Sequence, residues 1–512
     1  MARAKKTAAD APPRTTAQRL GSLLKTARDT MRKDKGLNGD LDRLPLLTWL
    51  MFLKFLDDHE ATAETAAALS RKKYRPTIDP PYRWRDWAAA GAVTGDELLK
   101  FVTAEETTRP DATTGPGLVP YLRGFVGSAD PKRRVVGEVF SGVVNRMESG
   151  YLLRAIVDQV NGIHFGSTDE IHTLGHLYES MLKEMRDAAG DSGEFYTPRA
   201  VVRFMVAATN PRLGETVLDP ACGTGGFLVE AFAHLSAQAK KAADRDTLQQ
   251  RSIFGQEAKP LPYMLCQMNL LLHGLDAPDI RKGNSLDVKI TDLGDADRAD
   301  VILTNPPFGG EEERGILGGF PADKQTAETA LLFLQLIMRR LRKTPAPGRA
   351  AVVVPNGTLF GDGVCGRIKH DLLTNYNLHT VVRLPNGVFA PYTSIPTNVL
   401  FFDRSGPTAD VWYYEVPPPD GRKQYTKTAA MPFEAFADCL AWWPQRAEHD
   451  RAWTVPAAEL LAAGCNLDRK NPRAKADAAH LPPEQLVDSI LAKEARIAAI
   501  VGEIKALLAA AP

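Results

Sequence analysis

The sequence predicts an α/β fold with a helical domain before it and a long helix after it. Three observations support this prediction. Between about residues 166 and 410, short apolar segments alternate with amphipathic helical segments, which is typical of a parallel sheet with right-handed crossovers. Before that region the apolar residues follow helical spacing, and near its end the chain carries one uninterrupted helical pattern.

Composition limits the possible functions. The 512 residues are enough for two or three domains with a sizeable core. Lysine and arginine number 63 and aspartate and glutamate 62, so the chain is not a strongly basic nucleic-acid binder. If it binds nucleic acid, a local patch or a partner must supply much of the attraction. The five cysteines form no CxxC pair, which predicts a reducing compartment and no structural zinc.

The sequence also gives an expectation about location. No apolar segment follows "MARAKKTAAD", so we expect no signal peptide. The longest apolar stretch, "LPLLTWLMFLKFLDD", is interrupted by Thr48 and Lys54 and is too short to cross a bilayer. We therefore expect a cytoplasmic protein without membrane association.

The amino-terminal part is predicted to be a flexible basic tail over residues 1–15 and a helical domain over residues 16–165. Basic runs at 71–73 and 132–134 could contact phosphates, but such runs are usually solvated surface, and we assign them no role. Helical spacing is clearest in one apolar set: Leu46, Leu47, Leu50, Phe52, Leu53 and Leu56.

The catalytic domain is predicted over residues 166–410. A helix is expected in "DEIHTLGHLYESMLKEM". The candidate strands are "TVLD", "SIFGQE", "DVILTN", "AAVVVP", "HTVVRLP" and "TNVLFFD". The last two are separated by the turn-rich "NGVFAPYTSIP", which leaves no room for a helix. We therefore predict an antiparallel hairpin at one edge of the sheet.

The remainder divides into an irregular region over residues 411–480 and a helix over residues 481–512 that is predicted to dock on another subunit. A double proline, Pro482-Pro483, suits the start of that helix. Isoleucines at 490, 497 and 504 and a second row at 487, 501 and 508 form a narrow apolar seam. Such a seam is typical of a helix that packs lengthwise against another helix. The alternative is that the helix folds back onto its own catalytic domain.

A glycine-rich turn indicates the first ligand site. In "ETVLDPACGTGGFLVEAF", a strand ends at Asp219 and a helix follows a turn with Gly223, Gly225 and Gly226. Ligands of open α/β sheets bind at such turns. A pyrophosphate site would need a lysine or the full G-x-G-x-x-G spacing. A carboxylate repels phosphate and attracts an ammonium group, so the implied ligand has a cationic amino acid end.

Residues at two further strand ends could contact the rest of this ligand. Glu257, at the tip of the second strand, can accept hydrogen bonds from both hydroxyls of a ribose, although it could also be a helix cap. Together these features describe S-adenosylmethionine. Asn284 and Ser285, in "RKGNSLDV", follow the third strand and could read the adenine edge; a plain turn is the alternative.

"DVILTNPPFGG" predicts the catalytic chemistry. An exocyclic aromatic amine is a poor nucleophile, and the Asn305 side-chain oxygen and Pro306 carbonyl can accept its two hydrogens. Pro306 and Pro307 fix φ and lack N–H groups, which holds the carbonyls in place. Phe308 offers a face for stacking a flipped base, worth ~1–3 kcal/mol. Because sulfonium is a good leaving group, alignment suffices, without a general base or a metal.

These motifs resemble a known family. "DPACGTGGF", "NPPF" and the preceding "GEFYTPRAVVRFMV" resemble the motifs of amino-group DNA methyltransferases in their gamma-type order. Over about residues 16–510 the chain is similar to the modification (M) subunit of type I restriction-modification systems. The segments "LGHLYESML", "LPNGVFAPYTSIPTNVLFF" and "CNLDRKNP" also resemble segments of that family. The resemblance implies a Rossmann-like S-adenosylmethionine-dependent methyltransferase sheet and N6-adenine methylation of DNA.

The resemblance also implies partners and cofactor contacts. The partners are DNA, a specificity (S) subunit that reads the sequence, with two M chains per S chain, and in some systems a restriction (R) subunit. The cofactor-binding residues, with Asp219, Glu257, Asn284 and Ser285, are then Glu194, Phe195, Tyr196, Thr197, Pro198, Arg199, Ala221, Gly223, Thr224, Gly225 and Gly226.

Other functions fit the sequence less well. A stand-alone N6-adenine or N4-cytosine DNA methyltransferase stays open, although the residues after 410 are few for a recognition domain. A cytosine-C5 methyltransferase is excluded because no cysteine directly follows a proline, and Cys222 is read as a small residue in a crowded turn. A protein-glutamine methyltransferase would keep tyrosine at Phe308. An inactive scaffold is disfavoured because each motif residue that the chemistry needs is present.

Overall fold

The computed structural model describes residues 16–71, 73–89, 93–163, 197–390, 393–419, 421–426, 428–473 and 483–509. The predicted site residues Glu194, Phe195 and Tyr196 and the helix expected in "DEIHTLGHLYESMLKEM" lie outside these ranges. Across the described ranges, no helix is long and apolar enough to cross a membrane.

The amino-terminal region is helical. Its helices are α1 (Thr16–Met31), α2 (Asp40–Leu69), α3 (Trp84–Trp87), α4 (Gly95–Thr103), α5 (Leu118–Arg123), α6 (Pro131–Ser141) and α7 (Gly150–Asn161), with a two-stranded sheet of β1 (Thr107–Thr108) and β2 (Thr114–Gly115). They enclose an apolar cluster in which Trp49, Trp87 and Phe140 are fully buried. Met264 and Met268 of a later helix join the same cluster, so this region packs directly onto the sheet region.

A nine-stranded sheet forms the centre of the molecule. Its strands are β3 (Val217–Asp219), β4 (Ile253–Glu257), β5 (Asp279–Lys282), β6 (Val301–Thr304), β7 (Arg349–Pro355), β8 (Asn377–Arg383), β9 (Thr397–Asp403), β10 (Asp410–Glu415) and β11 (Ala452–Pro456). The spatial order is β11-β10-β8-β9-β7-β6-β3-β4-β5. From β7 to β5 all neighbours are parallel, which confirms the predicted α/β sheet.

The predicted edge hairpin is partly wrong. β8 and β9 do pair antiparallel, but β9 lies between β8 and β7. β10 then pairs parallel with β8, and β11 pairs antiparallel with β10, so the sheet continues past β8. The region 411–480, expected to be irregular, therefore supplies most of two strands. The local signal was an apolar run in "DVWYYE", in which Val411, Tyr413 and Tyr414 are buried.

Helices cover both faces of the sheet. One face carries α8 (Arg199–Thr209), α9 (Gly226–Ser236), α10 (Ala242–Arg251) and α11 (Pro260–Leu272). The other carries α13 (Thr329–Arg340) and α15 (Val364–Asn375). The shorter helices are α12 (Arg314–Leu317), α14 (Gly357–Phe360), α16 (Ala437–Trp442) and α17 (Ala457–Ala462). The carboxyl ends of the parallel strands are left free to carry loops.

The last helix, α18 (Pro483–Ala509), projects from the rest of the chain. Each of its side chains that the structure describes is exposed. Ile490, Ile497 and Ile504 are 55%, 61% and 50% exposed, and Val487 and Val501 are similarly open. The described side chains of this helix therefore bury no surface against the catalytic domain, and its docking on another subunit stays a prediction.

Candidate active site

A tight loop between β3 and α9 forms the floor of the candidate site. Gly223 and Gly225 have φ of 53° and 82°, in the left-handed region that favours glycine. A Cβ on Gly225 would also lie 2.8 Å from the Cys266 sulfur. A Cβ on Gly226, in contrast, would have no atom within 4 Å. The loop is therefore packed on one side, and the start of α9 faces open space.

Hydrogen bonds hold this loop in one conformation. The Cys222 N–H donates to the Gln256 carbonyl (3.0 Å), and the Gly225 N–H donates to the Cys222 carbonyl (2.8 Å). The Asn269 amide on α11 donates to the Thr224 carbonyl at 2.9 Å. Asn269 is 2% exposed, and sequence reasoning missed it; the signal was a polar residue inside the apolar "YMLCQMNLLL". The loop is thus rigid before any ligand binds.

Asp219 is a buried carboxylate without a cation. It is 1% exposed and accepts a hydrogen bond from the Ala221 N–H at 3.0 Å. Burial raises the pKa of Asp219 to about 7, and the nearby charge of Glu257 adds to the rise. Among the described residues it makes no salt bridge with a basic side chain. A ligand ammonium group would compensate this carboxylate.

Glu257 lies at the end of β4, beside the loop. One carboxylate oxygen accepts the Gly223 N–H (2.9 Å) and the other accepts the Lys259 N–H (2.8 Å), just before α11. Burial raises the pKa of Glu257, while these hydrogen bonds lower it. The carboxylate therefore holds the residue that precedes α11 and also braces the glycine loop. Each oxygen has a further lone pair with which it can accept a ligand hydroxyl.

In the turn after β5, the polar side chains form hydrogen bonds with other protein groups. The Asn284 oxygen accepts the Leu286 N–H at 3.0 Å, and its amide donates to Glu312 at 3.3 Å. The Ser285 hydroxyl donates to the Pro220 carbonyl at 2.6 Å. These bonds form a capped 3-10 turn, Ser285–Asp287, that lies against the glycine loop. The plain-turn alternative accounts for both side chains, and their role towards adenine stays a prediction.

Asn305 follows β6 and carries the clearest chemical signal of the site. Its amide N–H donates to the Thr197 hydroxyl at 3.1 Å. Its side-chain oxygen is buried, and within the described ranges no donor satisfies it. An unpaired buried acceptor costs ~1–3 kcal/mol, so such an atom calls for an explanation. An oxygen held in place and left free could accept an amine hydrogen, and the role that the sequence predicts for it stays a prediction.

Phe308, three residues after Asn305 in the chain, packs against a second aromatic ring. Phe308 is half-buried, and its ring meets that of Phe389 edge-on, with centroids 5.8 Å apart and an interplanar angle of 74°. Phe389 is 4% exposed and comes from the turn between β8 and β9. Sequence reasoning gave Phe389 no role, although "NGVF" was noted. Pro306 is buried and Pro307 is half-buried.

The segment before α8 closes the site from another side. Pro198 directly precedes α8, and the Arg199 guanidinium donates to the Gly226 carbonyl at 3.3 Å and lies 3.9 Å from Glu230. Burial lowers the pKa of Arg199. The structure thus brings Thr197 to Asn305 and Arg199 to the glycine loop, across large sequence separations.

The two buried thiols beneath the loop act as packing groups. The Cys222 and Cys266 sulfurs lie 3.7 Å apart, and both thiols are free. Burial raises the pKa of Cys222 well above its usual range, which keeps the thiol protonated. Cys222 is therefore not suited to act as a nucleophile in methyl transfer. Among the described residues, no three histidine, cysteine or acidic side chains cluster to hold a metal.

Family comparisons cover nearly the whole chain. The family model "N-6 DNA Methylase" matches residues 169–480, and "HsdM N-terminal domain" matches residues 20–106. The methylase subunit of the type I restriction enzyme EcoEI of Escherichia coli is 45% identical over 504 residues, which span 96% of this chain and 98% of that protein. The corresponding EcoKI subunit of E. coli strain K12 is 32% identical, covering 69% of this chain and 66% of that protein.

Solved structures give the same result. A modification subunit assigned to a type I restriction enzyme from Vibrio vulnificus YJ016 is 61% identical, with a TM-score of 0.86 over 91% of this chain and 99% of that chain. A second chain comes from a structural study of complex assembly and conformational transition of the type I R-M system. It is 39% identical, with a TM-score of 0.74 over 97% of this chain and 99% of that chain.

Proposed function

Because this chain belongs to the methylase subunits of type I restriction enzymes, a family of S-adenosylmethionine-dependent N6-adenine DNA methyltransferases, we propose that it methylates N6 of an adenine flipped out of duplex DNA. The observation that carries this proposal is the buried, unpaired side-chain oxygen of Asn305. A stand-alone DNA methyltransferase acting on N6 of adenine or N4 of cytosine is the alternative.

The residues at the strand ends fit S-adenosylmethionine. Bound there, the cofactor supplies a methyl group on a sulfonium. Asp219 is a buried carboxylate that an ammonium group would neutralise. Glu257 braces the glycine loop and keeps lone pairs for two ribose hydroxyls. The open start of α9 at Gly226 lets backbone approach the ligand closely.

Asn305 and Pro306 activate the target amine. The lone pair of an adenine amine is delocalised into the ring, so nitrogen must become more pyramidal to attack. The Asn305 oxygen accepts one amine hydrogen and the Pro306 carbonyl accepts the other. Both acceptors stabilise the positive charge that develops on nitrogen. The hydrogen bond to Thr197 holds the Asn305 amide so that its oxygen stays available.

Phe308 holds the flipped base. Stacking on an aromatic ring is worth ~1–3 kcal/mol per base, which offsets part of the cost of unstacking adenine from DNA. The edge-on contact with Phe389 fixes the tilt of the Phe308 ring. The role of the protein is therefore to align nitrogen, methyl carbon and sulfur in a line.

We assign sequence recognition to a specificity subunit that docks on α18. The apolar seam of Ile490, Ile497 and Ile504 is exposed and seven-residue spaced, as required for helix-to-helix packing. The near-zero net charge also favours a partner that supplies base readout and part of the phosphate binding. The proposed assembly has two methylase chains per specificity chain and accepts a restriction subunit. This seam disfavours the stand-alone alternative.

Single-molecule sequencing tests the proposal. DNA is sequenced from cells that express the chain alone, the chain with its specificity subunit, or the Asn305→Ala variant with that subunit. We expect N6-methyladenine at one bipartite motif only when the unaltered chain and the subunit are present together. Methylation by the chain alone would support the stand-alone enzyme, and methylation by Asn305→Ala would contradict the proposed chemistry.

A further inference from the structure

A second pocket lies on one face of the sheet, away from the candidate active site. It has a volume of about 140 Å³ and is floored by Leu218 and Phe254 of β3 and β4. Arg340 and Arg342, at the other end of the pocket, precede β7. They therefore lie near the amino ends of the parallel strands, whereas the candidate active site lies at the carboxyl ends. The two sites are distinct.

The lining of this pocket is rich in guanidinium groups. Arg281, Arg298, Arg340 and Arg342 line it together with Asp279 and Asp297. Four cations and two anions leave a net charge of plus two. The remaining lining residues carry no charge. Carboxylates just outside the lining pair with two of these arginines, Arg298 with Asp295 and Arg342 with Asp300, which leaves Arg281 and Arg340 without a salt bridge among the described residues.

Arg340 is buried without a counter-ion contact. It is 6% exposed, and its Nε has no hydrogen-bond partner. Its side chain makes no hydrogen bond or salt bridge with any residue that the structure describes. Burial lowers the pKa of the Arg340 guanidinium, and the nearby charge of Asp297 opposes this effect. Because buried charges are normally paired, this guanidinium is a candidate group for binding an anion.

The other arginines are only partly engaged. Arg298 pairs with Asp295, while its Nε is buried without a hydrogen-bond partner. Arg342 donates to the Arg298 carbonyl at 3.1 Å and lies 3.1 Å from the Asp300 carboxylate. These contacts fix the guanidinium groups around the pocket and still leave N–H donors for a ligand. Asp297 is occupied by the Gly294 N–H at 3.0 Å.

We propose that this pocket binds a small phosphate, either the free ion or the terminal group of a phosphate monoester. The guanidinium forks of Arg340 and Arg281, which make no salt bridge among the described residues, match the oxygens of a phosphate dianion in pairs. The cavity is several times the ~30 Å³ that one water occupies in the liquid, so a phosphate fits. A backbone phosphate of DNA does not fit, because a continuous duplex cannot reach a guanidinium that is nine-tenths buried.

Calorimetry and thermal unfolding of the full chain test this site. The probes are sodium phosphate and ribose 5-phosphate, each compared with sodium chloride at matched ionic strength. The variants are Arg340→Gln and a control, Arg245→Gln, which changes an exposed arginine of α10 on the opposite face of the sheet. We expect phosphate to raise the Tm of the unaltered chain and of Arg245→Gln in a saturable manner. Arg340→Gln should bind at least about tenfold more weakly.

The remaining outcomes are also decisive. In chloride, Arg340→Gln should be at least as stable as the unaltered chain, because a buried unpaired charge is removed. If that variant fails to fold, Arg281→Gln replaces it in the test, because Arg281 is an exposed arginine of the same pocket. Several-fold weaker phosphate binding is then expected. Ribose 5-phosphate binding that depends on Arg340 would identify monoesters as ligands, and phosphate binding alone would identify the free ion. No phosphate-specific shift, or equal affinity in Arg340→Gln, would overturn the proposal.

Discussion

Changing Asn305 to alanine should separate turnover from cofactor binding. The change deletes a side-chain oxygen that is buried and, among the described residues, unpaired. Loss of one positioned acceptor of this kind lowers kcat by ~10²–10³, or about 2.7–4 kcal/mol. The cofactor contacts proposed for Asp219 and Glu257 are untouched. S-adenosylmethionine affinity should therefore stay within a few-fold of the unaltered chain.

Protein stability should change little in the same variant. The hydrogen bond to the Thr197 hydroxyl is lost, which costs ~0.5–1.5 kcal/mol. The burial of an unsatisfied oxygen is relieved at the same time, and that relief is worth ~1–3 kcal/mol. The two effects oppose each other, so a large fall in Tm is not expected. A loss of activity in this variant is therefore a loss of chemistry.

Transfer of tritium from labelled S-adenosylmethionine to target DNA measures the effect, with the specificity subunit present. Thr197→Val is the matched control, because it keeps the Asn305 oxygen and removes only the contact that orients the amide. About a fivefold loss is expected for that control, equivalent to ~1 kcal/mol. A folded Asn305→Ala protein with substantial remaining activity would refute the proposed role of the asparagine oxygen.

Three further predictions concern the cofactor site and α18. Glu257→Ala should weaken S-adenosylmethionine binding by ~1–3 kcal/mol and Asp219→Ala should weaken it too; unchanged calorimetric affinity in both would place the nucleoside elsewhere. Burial raises the pKa of Asp219 to about 7, so the carboxyl group is largely protonated below pH 7 and must ionise to pair with an ammonium group. The affinity for S-adenosylmethionine should therefore rise about tenfold from pH 6 to pH 8. The same pH dependence in Asp219→Asn would contradict this. Ending the chain before Pro482 should leave a folded, cofactor-binding protein that no longer assembles with the specificity subunit, and a complex of normal size on size-exclusion chromatography would refute the docking role.

Local sequence patterns predicted much of the catalytic sheet. The six strands expected between residues 166 and 410 are present in the structure, and the glycine loop lies where "DPACGTGG" predicted it. Both depend on short-range chemistry. A strand needs a run of apolar residues, and a left-handed turn needs glycine at Gly223 and Gly225. The identities of Asn305 and Phe308 followed from the same local reading.

The order of strands and the neighbours of each site residue needed the tertiary structure. β9 lies between β7 and β8, and β10 and β11 extend the sheet, because strand pairing is decided by contacts between segments far apart in sequence. The same holds for Thr197 against Asn305 and for Phe389 against Phe308.

The sequence by itself therefore determined which residues are the candidates for the chemistry, because residue type and local spacing decide whether a strand end presents a carboxylate, a glycine turn or an asparagine. Only the tertiary structure decided which of these groups are satisfied. Glu257 is engaged by two backbone N–H groups, whereas the Asn305 oxygen and the Arg340 Nε are buried without partners. Burial and hydrogen bonding arise when distant segments pack together, so no local pattern reveals them.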